Sequence, residues 1–125
     1  MRVAAMAKVL ENHRFTRKAG YKDYYVRNLM LDNAAALEVE VIVEDCAQIF
    51  VTYGFNRMYA GTMTEKGLDS VLDYLLGIRG IKAISRLARK AAKAEAARYK
   101  TVYELTRIED ALRSAVKANT DKETK

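Results

Sequence analysis

A row of cations in the second half of the chain has the spacing of one helix face. Lys82, Arg86, Arg89, Lys93 and Lys100 follow one another at steps of four, three, four and seven residues. Because a helix turns once in 3.6 residues, these steps bring the five side chains onto one face. Cations at intervals of ~5 Å can follow successive phosphate groups, and each contact releases counterions. The row therefore indicates binding to nucleic acid.

The residues around this row support the same interpretation. Lys90 and Arg98 flank it, and Glu95 is the one acid between positions 82 and 100. A solvated helix face normally mixes both signs of charge, whereas this one does not. An acidic protein, a membrane surface and an ordinary solvated face remain the alternatives. The opposite face is apolar and comprises Ile84, Leu87, Ala88 and Ala91.

A second basic segment interleaves cations with aromatic residues and contains no acid. In proteins that bind single strands, cations follow the backbone while rings stack on bases, at ~1–3 kcal/mol per base. An ordinary basic loop whose rings pack into the core is the alternative interpretation. The segment comprises Arg14, Phe15, Arg17, Lys18, Tyr21 and Lys22.

Further rings fall in segments that we predict to be strands. A sheet with rings on one open face is a stacking platform for bases, although rings also occur in strands for packing reasons alone. From this set we select Tyr53 and Tyr59 as base-stacking candidates. The remaining rings are Tyr24, Tyr25, Phe50 and Phe55.

Residues 75–84 combine two helical segments with a short glycine turn, in which Gly77 and Gly80 enclose Ile-Arg. The sequence Leu-Leu-Gly-Ile-Arg-Gly-Ile-Lys-Ala-Ile resembles the helix–GxxG–helix core of KH domains, whose loop clamps a single-stranded backbone. The resemblance implies phosphate contacts from Gly77, Arg79 and Gly80. A helix C-cap glycine followed by a turn glycine is the alternative explanation of these residues.

Residues that could perform catalysis are few. His13 is the single histidine and Cys46 the single cysteine, so a Cys–His pair would lack a third, orienting group, and zinc would lack ligands. Glu38, Glu40 and Glu44 share a strand face, which suits a solvated surface with cationic partners from a neighbouring segment better than two-metal chemistry. Neither a P-loop nor a dinucleotide-binding pattern occurs. We predict a binding protein rather than an enzyme, with no catalytic residue, metal or cofactor.

Composition agrees with a single packed domain. The chain has 125 residues, of which 50% are hydrophobic and 30% charged. The net charge of +6 is unevenly placed, because residues 1–63 hold eight cations against seven acids and residues 64–125 hold fourteen against nine. One cysteine allows no internal disulfide, and the sequence shows neither a signal peptide nor an apolar stretch that would span a membrane. We therefore predict a cytoplasmic protein without membrane contact.

Hydrophobic periodicity predicts the secondary structure. A helix is expected at residues 2–12 and a loop at 13–22, and Thr62 with Glu65 has the pattern of a capping box that opens a helix ending near Gly77. The predicted strands are residues 23–31, 37–44, 47–53 and 57–60, with turn signals at Asp32-Asn33 and Gly54-Phe55-Asn56.

From Ile81 to Ala118 no glycine or proline occurs, so the sequence predicts one long helix or two with an inconspicuous break. One helix of 38 residues would be about 57 Å long and would have to pack partly on another chain or a ligand. An apolar seam along this region fits either contact between subunits or a helix folded back on the sheet. The seam comprises Val102, Leu105, Leu112 and Val116.

The sequence thus predicts the α+β class: a three- to four-stranded, mainly antiparallel sheet, a short N-terminal helix and a long basic C-terminal helical region. Residues 1–118 form one domain, residues 119–125 fray, and the chain is a homo-oligomer. We expect binding to nucleic acid, single-stranded DNA or RNA rather than duplex, as in an accessory factor of replication or transcription. The alternative is a small inhibitor or adaptor that docks its basic helix on an acidic protein. The predicted binding residues are Arg14, Arg17, Lys18, Tyr21, Lys22, Tyr53, Tyr59, Arg79, Lys82, Arg86, Arg89, Lys90, Lys93 and Lys100.

Overall fold

A computed structural model of the chain describes residues 2–18, 20, 23–31, 36–54, 56–96 and 102–120. Five strands form one antiparallel sheet in the order β1-β2-β3-β4-β5, and helices precede and follow it, which confirms the α+β class. The strands are β1 (Thr16–Arg17), β2 (Tyr24–Met30), β3 (Ala36–Val43), β4 (Ala47–Tyr53) and β5 (Asn56–Met63). The helices are α1 (Arg2–Asn12), α2 (Glu65–Leu75), α3 (Ile78–Ala96) and α4 (Val102–Thr120).

The central strand β3 separates a core face of the sheet from a polar face. Its alternate residues Leu37, Val39, Val41 and Val43 are fully buried against the helices, as the alternating sequence predicts. Glu40 points to the other face, yet it is also buried. Glu40 is therefore not solvated as the sequence predicts, although Arg57 of β5 provides the expected cationic partner.

The sheet has one strand more than the sequence predicts. Thr16 and Arg17, which lie in the expected loop of residues 13–22, pair with Val26 and Tyr25 of β2. A strand of two residues is too short to show an alternating pattern, so periodicity could not reveal it. The expected turn at Asp32-Asn33 lies outside the described residues.

The fourth predicted strand, at residues 57–60, is longer in the structure and shifts the start of the next helix. Thr62 pairs with Gln48 in the sheet, so its backbone belongs to β5 and not to a helix cap. Helix α2 begins at Glu65 with Thr64 as its N-cap, and the Thr64 side chain makes no capping hydrogen bond. The capping box predicted from Thr62 and Glu65 is therefore wrong.

The free edge of β5 is covered by α4 instead of by another strand. The backbone N–H of Tyr59 donates to the Glu109 carboxylate at 2.7 Å, and Arg113 Nη1 donates to the Tyr59 carbonyl at 3.5 Å. These side chains take the place of a neighbouring strand, which protects the edge from pairing with another chain.

The long helical region is two helices of 19 residues each, about 28 Å in length. They pack against each other, and α4 also packs on β5. Leu112 and Val116 of the predicted seam are fully buried within the chain, which supports the folded-back alternative; the side chains of Val102 and Leu105 lie outside the described part. Helix length thus no longer argues for a partner chain, and the oligomeric state stays a prediction.

Helix α4 extends two residues beyond the predicted end of the domain. The Thr120 hydroxyl donates to the Val116 carbonyl at 2.6 Å and is buried, so fraying does not begin at residue 119. The rest of the expected tail, residues 121–125, is not among the described residues. Within the ranges that the structure describes, no helix is long and apolar enough to cross a membrane.

The turn between α2 and α3 is tight because of Gly80. This buried glycine lies in the first turn of α3, where a Cβ atom would overlap the carbonyl oxygen of Tyr74. Gly77 directly follows the α2 C-cap residue Leu76, without the left-handed backbone of a C-cap glycine. Close packing of α2 and α3 therefore explains Gly80. The buried backbone of Gly80 is not exposed for phosphate contact, as the KH resemblance implies it would be.

Candidate functional site

The exposed face of α3 presents the predicted cations. The predicted apolar positions of this helix are buried, which places the basic positions outward. Within the described part of the chain, none of these cations forms an ion pair with a carboxylate. Lys100, also predicted for this row, lies outside the described residues, as does Arg98. The exposed cations are Arg79, Lys82, Arg86, Arg89, Lys90 and Lys93.

A groove of about 580 Å³ lies beside this face, between α3 and the end of β2. At its base the Ser85 hydroxyl donates to the Tyr53 hydroxyl at 3.3 Å, and Arg89 Nη2 donates to Ser85 Oγ at 2.9 Å. Tyr53 and Arg89 are thereby joined through one serine. The volume falls in the range of small-ligand sites. The lining residues are Met30, Leu31, Tyr53, Ile78, Ile81, Lys82, Ser85 and Arg89.

The rim of this groove, which we call the α3 groove, exposes two large apolar side chains. Met30 is 75% exposed and Ile78 is 76% exposed. They are the two large hydrophobic residues that are exposed in the described ranges, and both line the same groove. Neighbouring exposed apolar side chains are typical of a binding surface.

A second ring borders the cations of α3. Tyr74 on α2 lies close enough to Arg86 and Arg79 for their charges to act on its hydroxyl. Burial raises the pKa of Tyr74 above its usual 10.0, and the two guanidinium charges oppose this only in part. The hydroxyl therefore stays protonated at neutral pH and can donate a hydrogen bond. Sequence reasoning missed this ring, since the apolar spacing of α2 gave no reason to single it out.

The predicted basic loop forms a separate cavity of about 640 Å³ next to β1 and β2. Arg14, Arg17 and Lys18 are exposed there, as predicted, and Arg27 joins them. Lys18 Nζ lies 5.2 Å from the centre of the Tyr24 ring, in cation–π contact. The other predicted loop residues, Tyr21 and Lys22, lie outside the described part. The cavity is completed by Thr16, Val26, Asn28 and Glu38.

Strand β2 connects this loop cavity to the α3 groove. Val26 and Asn28 line the cavity, whereas Met30 and Leu31 line the groove. The four residue steps from Val26 to Met30 span about 13 Å of strand. Val26 lies opposite Glu40 on the polar face of the sheet, whereas Tyr53 lies opposite Leu37 on the core face. A single strand must therefore pass around the outer edge of β2 to contact both regions.

Tyr59 belongs to neither region. It lies on β5 with its ring 5.3 Å from that of Phe50, and the Arg113 guanidinium stands 5.3 Å from its ring centre. The Tyr59 hydroxyl bonds to Thr62, and its backbone is held by α4. Tyr59 therefore lies apart from the predicted cations of α3. Tyr53, in contrast, is connected to one of these cations, Arg89, through Ser85.

Two arginines that the sequence gave no reason to select, Arg57 and Arg113, join Phe50 and Tyr59 in a cluster that we call the β5 patch. Arg57 stacks over Phe50, with the guanidinium carbon 4.0 Å from the ring centre, and its Nε bonds to Glu40 at 3.1 Å. This pairing explains why the carboxylate of Glu40 can be buried. Arg113 likewise pairs with Asp110, three residues earlier on α4.

His13 has carboxylate partners that the sequence did not reveal. Its Nε2 lies 2.7 Å from Asp69 Oδ1 and 3.7 Å from Asp73 Oδ1, and both aspartates are on α2. The four-residue spacing of the aspartates indicates one helix face, but only the fold brings them to His13. Cys46 is a free, half-buried thiol in the turn between β3 and β4.

Comparisons with protein-family models, with curated proteins and with solved structures find no match to this chain.

Proposed function

We propose that the chain binds single-stranded nucleic acid on α3, with phosphates on the exposed cations and a base in the α3 groove against Tyr53. The observation that carries this proposal is the link from Tyr53 through Ser85 to Arg89. A ring that can stack on a base and a cation that can hold a phosphate thus stand at one place. Single-strand binders combine these two elements.

The row of cations provides the electrostatic part of this binding. From Lys82 to Lys93 it covers about 16 Å of helix, with neighbouring side chains about 5–6 Å apart. Since no described carboxylate pairs with these cations, they are not neutralised within the described chain. A row of lysine and arginine without asparagine or glutamine contacts phosphates more than base edges, which favours binding with little sequence preference.

The groove provides the preference for single strands. Its lining is largely apolar, and an unpaired base can leave the stack and enter it, whereas a base within a duplex cannot. The same strand then passes around the outer edge of β2 and reaches Arg14, Arg17 and Lys18 of the loop cavity. We propose binding without catalysis, and in the cytoplasm, where the lone Cys46 would stay reduced.

Fluorescence anisotropy with matched single-stranded and duplex oligonucleotides at several salt concentrations tests this proposal. The single strand should bind more tightly, and for about four phosphate contacts the logarithm of its association constant should fall with the logarithm of salt at a slope of about −3. Equal affinity for both forms would reduce the chain to a general phosphate binder. The absence of binding near physiological salt would refute the proposal.

The exposed apolar rim favours a second candidate, an adaptor that docks α3 on an acidic protein surface. Met30 and Ile78 would be the apolar anchors of such an interface, with Lys82 and Arg89 beside them. Changing Met30 and Ile78 to serine separates the candidates. Protein docking would lose its anchors, whereas contacts between phosphates and α3 would persist.

A further inference from the structure

The junction of α1 with α2 brings an imidazole against two carboxylates. His13 follows the C-terminal end of α1, and its side chain is only 14% exposed. Asp69 and Asp73 are four residues apart on α2, so they project from the same face of that helix. One ligand atom from each of the three residues lies within 4.8 Å of the other two.

The carboxylates of this cluster depend on His13 for a hydrogen-bond partner. Within the described ranges, neither Asp69 nor Asp73 pairs with lysine or arginine. His13 Nε2 can donate one proton, and Asp69 at 2.7 Å is its nearer partner, which leaves Asp73 at 3.7 Å without that proton. Two carboxylates therefore share one imidazole, and a metal ion bound by all three side chains would give both carboxylates a cationic partner.

The donor set selects the kind of cation. Imidazole nitrogen and carboxylate oxygen both bind Zn²⁺ and related transition-metal ions at about 2.0–2.2 Å, so ligands of one ion lie at most about 4 Å apart. The observed separations approach this range with small side-chain movements. Mg²⁺ prefers oxygen ligands throughout and does not suit the imidazole.

We propose that His13, Asp69 and Asp73 bind one divalent transition-metal ion, with Zn²⁺ preferred over Mn²⁺. The ion replaces the proton that His13 Nε2 shares with Asp69, and water occupies its remaining positions. This ion joins the end of α1 to α2 immediately before the basic loop that begins at Arg14. The site lies apart from the α3 groove and does not depend on nucleic-acid binding.

The single histidine makes a direct experiment possible. In untagged protein, the Hε1 proton of His13 gives a single histidine Hε1 signal in the NMR spectrum, which can be followed during titration with ZnCl₂ in the absence of oligonucleotide. The background carries Cys46→Ser, which removes the one thiol that could bind Zn²⁺. The signal should shift and saturate at one ion per chain, and Mg²⁺ should leave it unchanged.

Variants of the carboxylates decide whether three residues form the site. Asp69→Asn and Asp73→Asn should each weaken Zn²⁺ binding at least about tenfold, whereas Asp45→Asn, at an exposed aspartate in the β3–β4 turn, should have no effect. Circular dichroism verifies that each variant is folded. An unmoved histidine signal at millimolar Zn²⁺, or equal affinity in the Asp69→Asn/Asp73→Asn double variant, would overturn the proposal. Neither result bears on the oligonucleotide measurements.

Discussion

The α3 groove and the β5 patch contain the same kinds of residue but differ in what those residues already contact. In the β5 patch, Arg57 stacks on Phe50 and pairs with Glu40, and Arg113 covers Tyr59 and pairs with Asp110. In the α3 groove, Tyr53 and Arg89 meet through Ser85, and no described carboxylate pairs with the neighbouring cations.

This difference indicates two roles for arginine beside an aromatic ring. Where the guanidinium has an internal carboxylate partner, the pair stabilises the sheet and offers little to a ligand. Where the described chain provides no such partner, the charge remains available for a phosphate. Residue composition alone does not distinguish the two cases. The contacts that each arginine makes in the structure distinguish them.

The largest expected effect comes from reversing charges on α3. Arg86→Glu, Arg89→Glu and Lys93→Glu together should lower affinity for a single strand about 100-fold at about 0.1 M salt, because three lost contacts reduce the salt slope by about 2. Anisotropy titrations at several salt concentrations measure both quantities.

A matched control makes the same change in net charge elsewhere. Lys8→Glu, Lys66→Glu and Lys117→Glu alter exposed lysines on α1, α2 and α4. This triple variant should retain most of the affinity. A similar loss in both triple variants would show that net charge, rather than the α3 face, determines binding.

A smaller effect is expected from the two tyrosines that the sequence treated alike. Tyr53→Leu should weaken single-strand binding about 5- to 30-fold with the salt slope unchanged, since a base loses its stacking partner but keeps an apolar contact. Tyr53→Phe keeps the ring and should bind nearly as the parent does. Tyr59→Leu should leave affinity within about twofold, because its ring contacts Phe50 and Arg113. Equal losses at both positions would contradict the distinction between the two regions.

The elements with a clear repeating pattern could be predicted from the sequence. The bounds of α1 and β4 are those expected, because apolar residues recur there with the period of a helix and a strand. The two residues of β1 are too few to carry a period. The sequence does not decide between one helix and two in the region of α3 and α4, since neither glycine nor proline marks a break there.

The candidate site could be predicted only as far as local periodicity reaches. The exposed cations of α3 follow from their helical spacing, which needs no knowledge of the fold. The α3 groove does not follow from local spacing, because it forms only where the end of β2 meets α3, about 50 residues later in the chain. For the same reason the sequence could not separate Tyr53 from Tyr59, or bring His13 to Asp69 and Asp73.

The smallest expected effect on binding, and a clear effect on stability, comes from Arg57→Ala in the β5 patch. The Glu40 side chain is only 9% exposed, so removing Arg57 leaves a carboxylate largely buried without its ionic partner. We expect the free energy of unfolding to fall by about 1–3 kcal/mol, while oligonucleotide affinity stays unchanged.

Urea denaturation of Arg57→Ala, Glu40→Gln and the double variant measures the coupling between the two residues. Because Glu40→Gln removes the unpaired charge, the double variant should be more stable than Arg57→Ala alone. If Arg57→Ala instead weakened nucleic-acid binding without loss of stability, the β5 patch would be part of the interface and the comparison with the α3 groove would fail.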